Sequence, residues 1–220
     1  MNIINRLFEQ YSGSYSLGFM AKNQENKRRP VIFALDGGEA DAVCVRHGQN
    51  IEKIKAEVKG VYLDSPCSCR ECHSADVPFV VFAPQNMPLR VQFSENTAKI
   101  ALVEENADIT SFSGYTVFPA DAFMIKNDAD RLTWAHISIV KRYSALSKPV
   151  IMQVANDVTV EELQNLYKAG ARAFAVRGGE ASAVYQAVQQ AKWQANKEKK
   201  DVFISSVAAN NLNDACEENE

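Results

Sequence analysis

Short apolar runs alternate along this chain with longer amphipathic or polar stretches, and the best-defined cycle lies between Lys148 and Glu180. Residues 150–154 (VIMQV) have the length and apolarity of a strand buried on both faces. Thr159 sits three residues before Glu162, the spacing of a capping box, in which the hydroxyl takes one orphan amide and the carboxylate another. Leu163, Leu166 and Tyr167 then share one helical face, and Gly170 supplies the left-handed residue that stops the helix. Residues 173–176 (AFAV) read as the next strand. A further helix follows Gly178-Gly179, with Ala181, Val184, Val188 and Ala191 turned inward. Strand, helix and strand with links this short predict a right-handed βαβ unit in a parallel sheet.

The same signal recurs upstream. Apolar runs at 31–35, 42–46, 61–63, 79–82, 100–103 and 122–125 predict six more strands. Only six residues separate the first two, too few for the usual helical crossover, so either a helix is lost there or the strands pair antiparallel. Asn50 predicts a short helix carrying Ile51, Ile54 and Val58 inward and closed by Gly60. After the sixth strand, Asp128 is the expected cap of a helix with Leu132, His136, Ile139, Tyr143 and Leu146 on one face. With an offset of 94 residues, Cys69, Cys72 and His73 fall on Leu163, Leu166 and Tyr167, and 79–82 on 173–176. Eight strands in this rhythm predict a closed (β/α)8 barrel over residues 31–195, short against the usual ~250 residues. An open doubly wound sheet is the alternative. Residues 1–30 form an amphipathic helix (Ile3, Ile4, Leu7, Phe8, Tyr11) and a lead-in whose Lys27-Arg28-Arg29 reads as solvated surface. Residues 196–220 are a charged linker, a strand-like 202–204 and an Asn/Glu-rich tail with the composition of disorder.

Charge and composition narrow the classes of partner. A net charge of −3 argues against a nucleic-acid backbone, and no run approaches the ~20 apolar residues of a membrane span. The first residues lack the pattern of a secretory signal, and five cysteines, three of them within six residues, do not make a secreted disulfide framework. A reducing cytoplasm is the expected compartment.

In either architecture ligands bind past the carboxyl ends of the strands. Those positions hold Asp36, His47, Asp64, Gln85, Glu104, Lys126, Asn156, Asp157 and Arg177. Gly178-Gly179 leads into a helix, where bare backbone and free amides suit an anion. Residues 169–182 (AGARAFAVRGGEAS) resemble phosphate-binding TIM barrels over about one βα unit. The resemblance implies that Gly178 and Gly179 hold a phosphate, with Arg177 and Ser182 as helpers.

Cys67, Cys69, Cys72 and His73 make a full tetrahedral zinc set on paper. CxCxxC is similar to the zinc site of tRNA-guanine transglycosylases, but the downstream histidine that family needs is missing. Cys69-Arg70-Glu71-Cys72-His73 also spells a c-type haem attachment motif, which expects export. The internal repeat favours a buried helical face, where a free cysteine acts as a small hydrophobe, so no metal and no cofactor is expected. Lys126, at the end of the sixth strand, is similar in place to the Schiff-base lysine of class I aldolases, though Asp128 nearby works against the lowered pKa such a nucleophile needs. Lys126, Asp36 and His47 are the candidates for proton transfer. The functional expectation is a barrel that binds a phosphorylated or otherwise anionic small molecule, with lyase or isomerase chemistry. The alternative is a degenerate barrel without catalysis, used for binding or assembly.

Overall fold

The computed structural model describes residues 3–12, 29–46, 51, 54, 56–63, 77–87, 93–105, 120–128, 131–146, 148–177 and 181–193. Eight strands, β1 (Val31–Leu35), β2 (Ala42–Arg46), β3 (Val58–Leu63), β4 (Phe79–Phe82), β5 (Ala98–Val103), β6 (Ala122–Ile125), β7 (Val150–Val154) and β8 (Ala171–Arg177), pair in sequence order. Every pairing is parallel, and β8 returns to β1 through Val31↔Ala173 to Leu35↔Arg177. The ring is closed, so the open sheet is excluded.

β1 and β2 pair parallel with no helix between them (Phe33↔Ala42, Leu35↔Cys44), which settles the choice that the short link left open. The stagger of the barrel makes this feasible. Asp36 N–H donates to the Cys44 carbonyl at 2.8 Å, and Asp41 N–H to that of Ile32 at 3.0 Å. The link therefore drops back only four residue levels, ~13 Å at ~3.3 Å per residue. Its reversal uses three consecutive positive φ values, 71° at Asp36, 114° at Gly37 and 115° at Gly38. Gly38 lies so close to Ala181 that an added Cβ would stand 3.2 Å from the Ala181 Cβ, so the link runs over the outer face in place of a helix.

Alternate strand residues fill the interior: Phe33, Cys44, Val58, Phe79, Val81, Ile100, Leu102, Met124, Ile151 and Ala175 belong to one buried cluster. Helix α1 (Ile3–Ser12) closes the end where the strands begin, adding Ile4, Leu7 and Phe8 to that cluster. The opposite strand faces, with Ile32, Ala34, Val103, Phe123 and Val176, pack under three helices. These are α2 (Trp134–Ser144), α3 (Val160–Ala169) and α4 (Ala181–Gln190).

The α3 capping box forms as its spacing predicts: the Thr159 hydroxyl accepts from Glu162 N–H and the Glu162 carboxylate accepts from Thr159 N–H at 2.9 Å. Gly170 ends the helix with φ 121°.

Four sequence expectations are corrected. β3 begins at Val58, so Val58 and Gly60 belong to a strand and not to a helix and its stop; both pair with β2. β5 and β8 each begin two residues before their continuous apolar cores, because Lys99 and Arg172 lie on outward-facing positions of the alternation. The N-cap of α2 is Thr133, not Asp128, and the His136 ring takes up the Thr133 N–H through Nδ1 at 2.9 Å. Arg29 is not solvated surface. It is 5% exposed and forms a two-pronged pair with Asp41, whose side chain is 3% exposed.

Candidate active site at the strand ends

The alternation that fills the interior also builds the mouth. Two residues beyond Cys44, Leu102, Met124, Ile151 and Ala175, each strand direction puts a polar side chain on the same inner face: Arg46, Glu104, Lys126, Gln153 and Arg177. With Asp36, Tyr62, Gln85 and Asn86 they line a cavity of about 300 Å³ whose apolar lining is Leu35, Cys44, Ala83 and Leu102.

Charge in the mouth is paired, within the segment after β6 and across strands. Lys126 Nζ lies 2.7 Å from Asp128 Oδ2 and 3.4 Å from Glu104 Oε2. Arg177 Nη2 reaches Asp128 Oδ1 at 3.5 Å and donates to Gln153 Oε1 at 3.0 Å. Gln153 is buried, and its amide nitrogen donates to the Met124 thioether at 3.5 Å, a weak acceptor. Arg46 Nε stands 3.6 Å from Asp36 Oδ1. Asp36 holds its place with a left-handed φ, a region that few side chains adopt and that aspartate tolerates better than most.

The hydrogen bond to Asp128 holds the Lys126 ammonium above the ordinary lysine range, against an opposing effect of burial and with further help from Glu104. Lys126 in turn holds the Asp128 carboxyl below the ordinary carboxylate range, with help from Arg177. Both shifts favour the charged forms. The pair's contribution to stability is therefore lost on the acid side only as pH falls through the lowered Asp128 value, and on the alkaline side only as pH rises through the raised Lys126 value. Burial pushes the Cys44 thiol far up, and Asp36 adds to this, so Cys44 is a neutral apolar wall of the cavity.

Of the residues singled out from sequence, Asp36, Gln85, Glu104, Lys126 and Arg177 meet at this cavity. Asn156 and Asp157 are exposed in the turn after β7 and do not line it. The Ser182 hydroxyl accepts from Glu39 N–H at 3.2 Å, on the link that crosses the outer face. His47, Asp64, Cys67, Cys69, Cys72, His73, Gly178 and Gly179 lie outside the described residues. His136 is fully buried in α2. The Glu105 carboxylate lies 3.0 Å from its Nε2 but off the N–H direction, a charge neighbour and not an aligned hydrogen bond.

Sequence reasoning missed Arg46, Tyr62, Asn86 and Gln153. The period-two count within each strand contained the signal for three of them: Arg46, Tyr62 and Gln153 share the parity of the interior residues of β2, β3 and β7. Among the described residues, no helix is long and apolar enough to cross a membrane.

Neither a protein-family model nor a curated protein matches the sequence. Solved structures do. RipC from Yersinia pestis superposes with a TM-score of 0.53 at 12% identity, over 74% of this chain and 96% of that one. FabK from Thermotoga maritima gives 0.43 at 20% identity over 57% of this chain, which spans only 42% of FabK. The Bacillus subtilis mannanase BCman gives 0.42 at 8% identity, over 75% of this chain and 86% of that one. At such identities the likeness is one of fold alone. The closed ring of eight parallel strands makes that fold a (β/α)8 barrel, with four α-helices among the described residues.

Proposed function

We propose that this barrel binds a small anionic molecule in the cavity at its strand ends. One observation carries the reading: Arg46, Lys126 and Arg177, from three separate places around the ring, line a single polar cavity over an apolar floor. The position supports it, since (β/α)8 barrels bind their ligands at the carboxyl ends of the strands. The size supports it too, because about 300 Å³ stands at the small end of the range for small-molecule sites. Cations set into a partly desolvated wall attract anions more strongly than the same groups would in water.

Proton transfer gains less support than binding. A general acid or base works best with a pKa near the working pH, and the shifts on Lys126 and Asp128 both move away from neutrality. A raised lysine is also the wrong starting point for a Schiff base. Lys126 serves here as a fixed cation, and a lyase or isomerase reaction in this cavity would draw its proton carrier from Glu104 or Asp36. The same balance of charges favours the reading of a barrel that binds without catalysis.

Titration calorimetry with inorganic phosphate and a set of small carboxylates tests the proposal. Lys126→Met should weaken the best-bound anion about 10- to 100-fold, the value of a charge-assisted hydrogen bond. Its far-UV circular dichroism should stay that of the wild type. Absence of saturable binding to the wild-type protein, or an affinity indifferent to Lys126→Met, would overturn the reading.

A further inference from the structure

We propose that Lys126 and Arg177 form a subsite for a single carboxylate, and that Asp128 is a built-in competitor that occupies the ligand's place. This rests on the anion-binding reading above and narrows it to a chemical class. The Asp128 carboxylate meets the two cations as a bound carboxylate would, Oδ2 on Lys126 at 2.7 Å and Oδ1 on Arg177 at 3.5 Å. The two cations reach this point from different places around the ring, and the Arg177 Nη2 that faces Asp128 also donates to Gln153 Oε1 at 3.0 Å. Lys126 follows β6 directly and its N–H still donates to the Val103 carbonyl at 2.8 Å, so the subsite is set by the barrel wall, while its occupant lies two residues further along the same segment. Asp128 is 59% exposed whereas Lys126 is 26% exposed, so the carboxylate lies on the solvent side of the cation and can leave without disturbing the core. It caps no helix, since Thr133 does that for α2.

Charge selects a carboxylate over a phosphate dianion, the form that dominates on the alkaline side of neutrality, where the two are to be compared. Apart from Asp128, the charged partners at this point are Lys126, Arg177 and Glu104, the last 3.4 Å from Lys126. Two cations against one carboxylate leave a single positive charge, which a monocarboxylate neutralises as Asp128 does. A phosphate dianion would carry one negative charge too many beside Glu104. A tethered competitor also acts at a local concentration on the order of millimolar. The affinity of the wild-type protein is thereby held down, and a ligand with a second anchor elsewhere in the cavity gains most from displacing Asp128.

Pyruvate and inorganic phosphate, titrated into wild type, Asp128→Ala, Asp128→Asn and Lys126→Met, test this. Both Asp128 variants should bind pyruvate about fivefold more tightly or better, the upper range for an exposed ion pair. Lys126→Met should lose that binding, and wild type should prefer pyruvate to phosphate. In the wild-type protein, saturating pyruvate should move the Asp128 carboxyl back up toward its ordinary range in a carbon-detected NMR titration, a response that a purely structural aspartate would not give. Preference for phosphate, or pyruvate binding that needs Lys126 yet is unchanged or weakened in both Asp128 variants, sinks the subsite and leaves the broader anion reading standing. Binding of no anion by the wild type sinks both.

Discussion

Replacing Asp41 by alanine is expected to cost about 3–5 kcal/mol of folding free energy, the range for removing one partner of a buried ion pair. Both carboxylate oxygens and the backbone N–H of Asp41 are engaged. Its Oδ2 accepts from Arg29 Nη1 at 2.7 Å and from Ile32 N–H at 2.9 Å, its Oδ1 accepts from Arg29 Nη2 at 2.5 Å, and its own N–H donates to the Ile32 carbonyl at 3.0 Å. Alanine would leave the guanidinium charged and buried beside the Tyr185 ring, whose centroid lies 5.5 Å from Cζ. It would also strip the acceptor from the Ile32 N–H of β1. For a domain of this length the loss corresponds to a fall in melting temperature of roughly 10 °C. Arg29 keeps its bond to the Pro30 carbonyl at 3.0 Å, so most of the penalty comes from removing the counter-ion of a buried charge and not from the pair's intrinsic worth. Arg29→Met combined with Asp41→Ala should therefore be more stable than Asp41→Ala alone. Urea unfolding of the three variants decides it: a single Asp41→Ala loss below about 1 kcal/mol, or a double variant less stable than the single, would show that the pair is not buried as described.

Asp41 belongs to a device used twice in the ring. Asp121, just before β6, donates its N–H to the Lys99 carbonyl at 2.7 Å and accepts from Lys99 N–H at 2.8 Å, the same exchange across a parallel pair. In each case an aspartate side chain supplies the acceptor that the neighbouring strand lacks at the edge of the ladder. This matters most where the connection is shortest. At the link of residues 36–41, Asp41 fixes where β2 starts, and the start of β2 fixes the phase that brings Arg46 to the mouth.

How much of this was legible depended on whether the determining contact was local. The α3 capping box and the Gly170 stop are settled within a few residues, so Thr159, Glu162 and Gly170 could be read directly. The barrel itself followed from repeated apolar runs, each long enough to stand as a strand. Position at a strand end was also enough to find Asp36, Glu104, Lys126 and Arg177. The failures that bear on the site concern partners distant in sequence or choices between equivalent residues. Arg29 looked like one of three surface cations because Asp41 lies 12 residues away. Asp128 and Thr133 are both good caps in isolation, and Lys126 and Arg177 engage the aspartate. Gln153 read as one polar residue in an apolar strand, although its inward parity marks it as part of the mouth. A strand-end rule finds residues near a mouth, while the period-two phase says which of them face into it.

Gly60 illustrates the same limit and gives the second large effect. In sequence it looks like a helix stop, but it lies inside β3, directly paired with Phe79 of β4. A Cβ added there would stand 2.3 to 2.5 Å from three carbons of the Phe79 ring. That ring has no room to retreat: it packs edge-on to Phe33 with centroids 5.7 Å apart, and Phe33 lies against Phe8 of the closing helix α1. Gly60→Ala is therefore expected to destabilise by about 3 kcal/mol, the upper part of the range for overpacking a dense core. This outweighs the ~0.4–1 kcal/mol that alanine contributes by restricting the unfolded chain. Phe79→Leu should be harmful in the wild-type background and less so beside Gly60→Ala, because the smaller side chain vacates the space the new methyl needs. A coupling of about 1 kcal/mol or more between the two, read from denaturant midpoints, is the expected result. Strict additivity, or a Gly60→Ala variant as stable as the wild type, would mean that the Phe79 ring does not lie over Gly60. The floor beneath the candidate site would then be packed differently from the one that orients its cations.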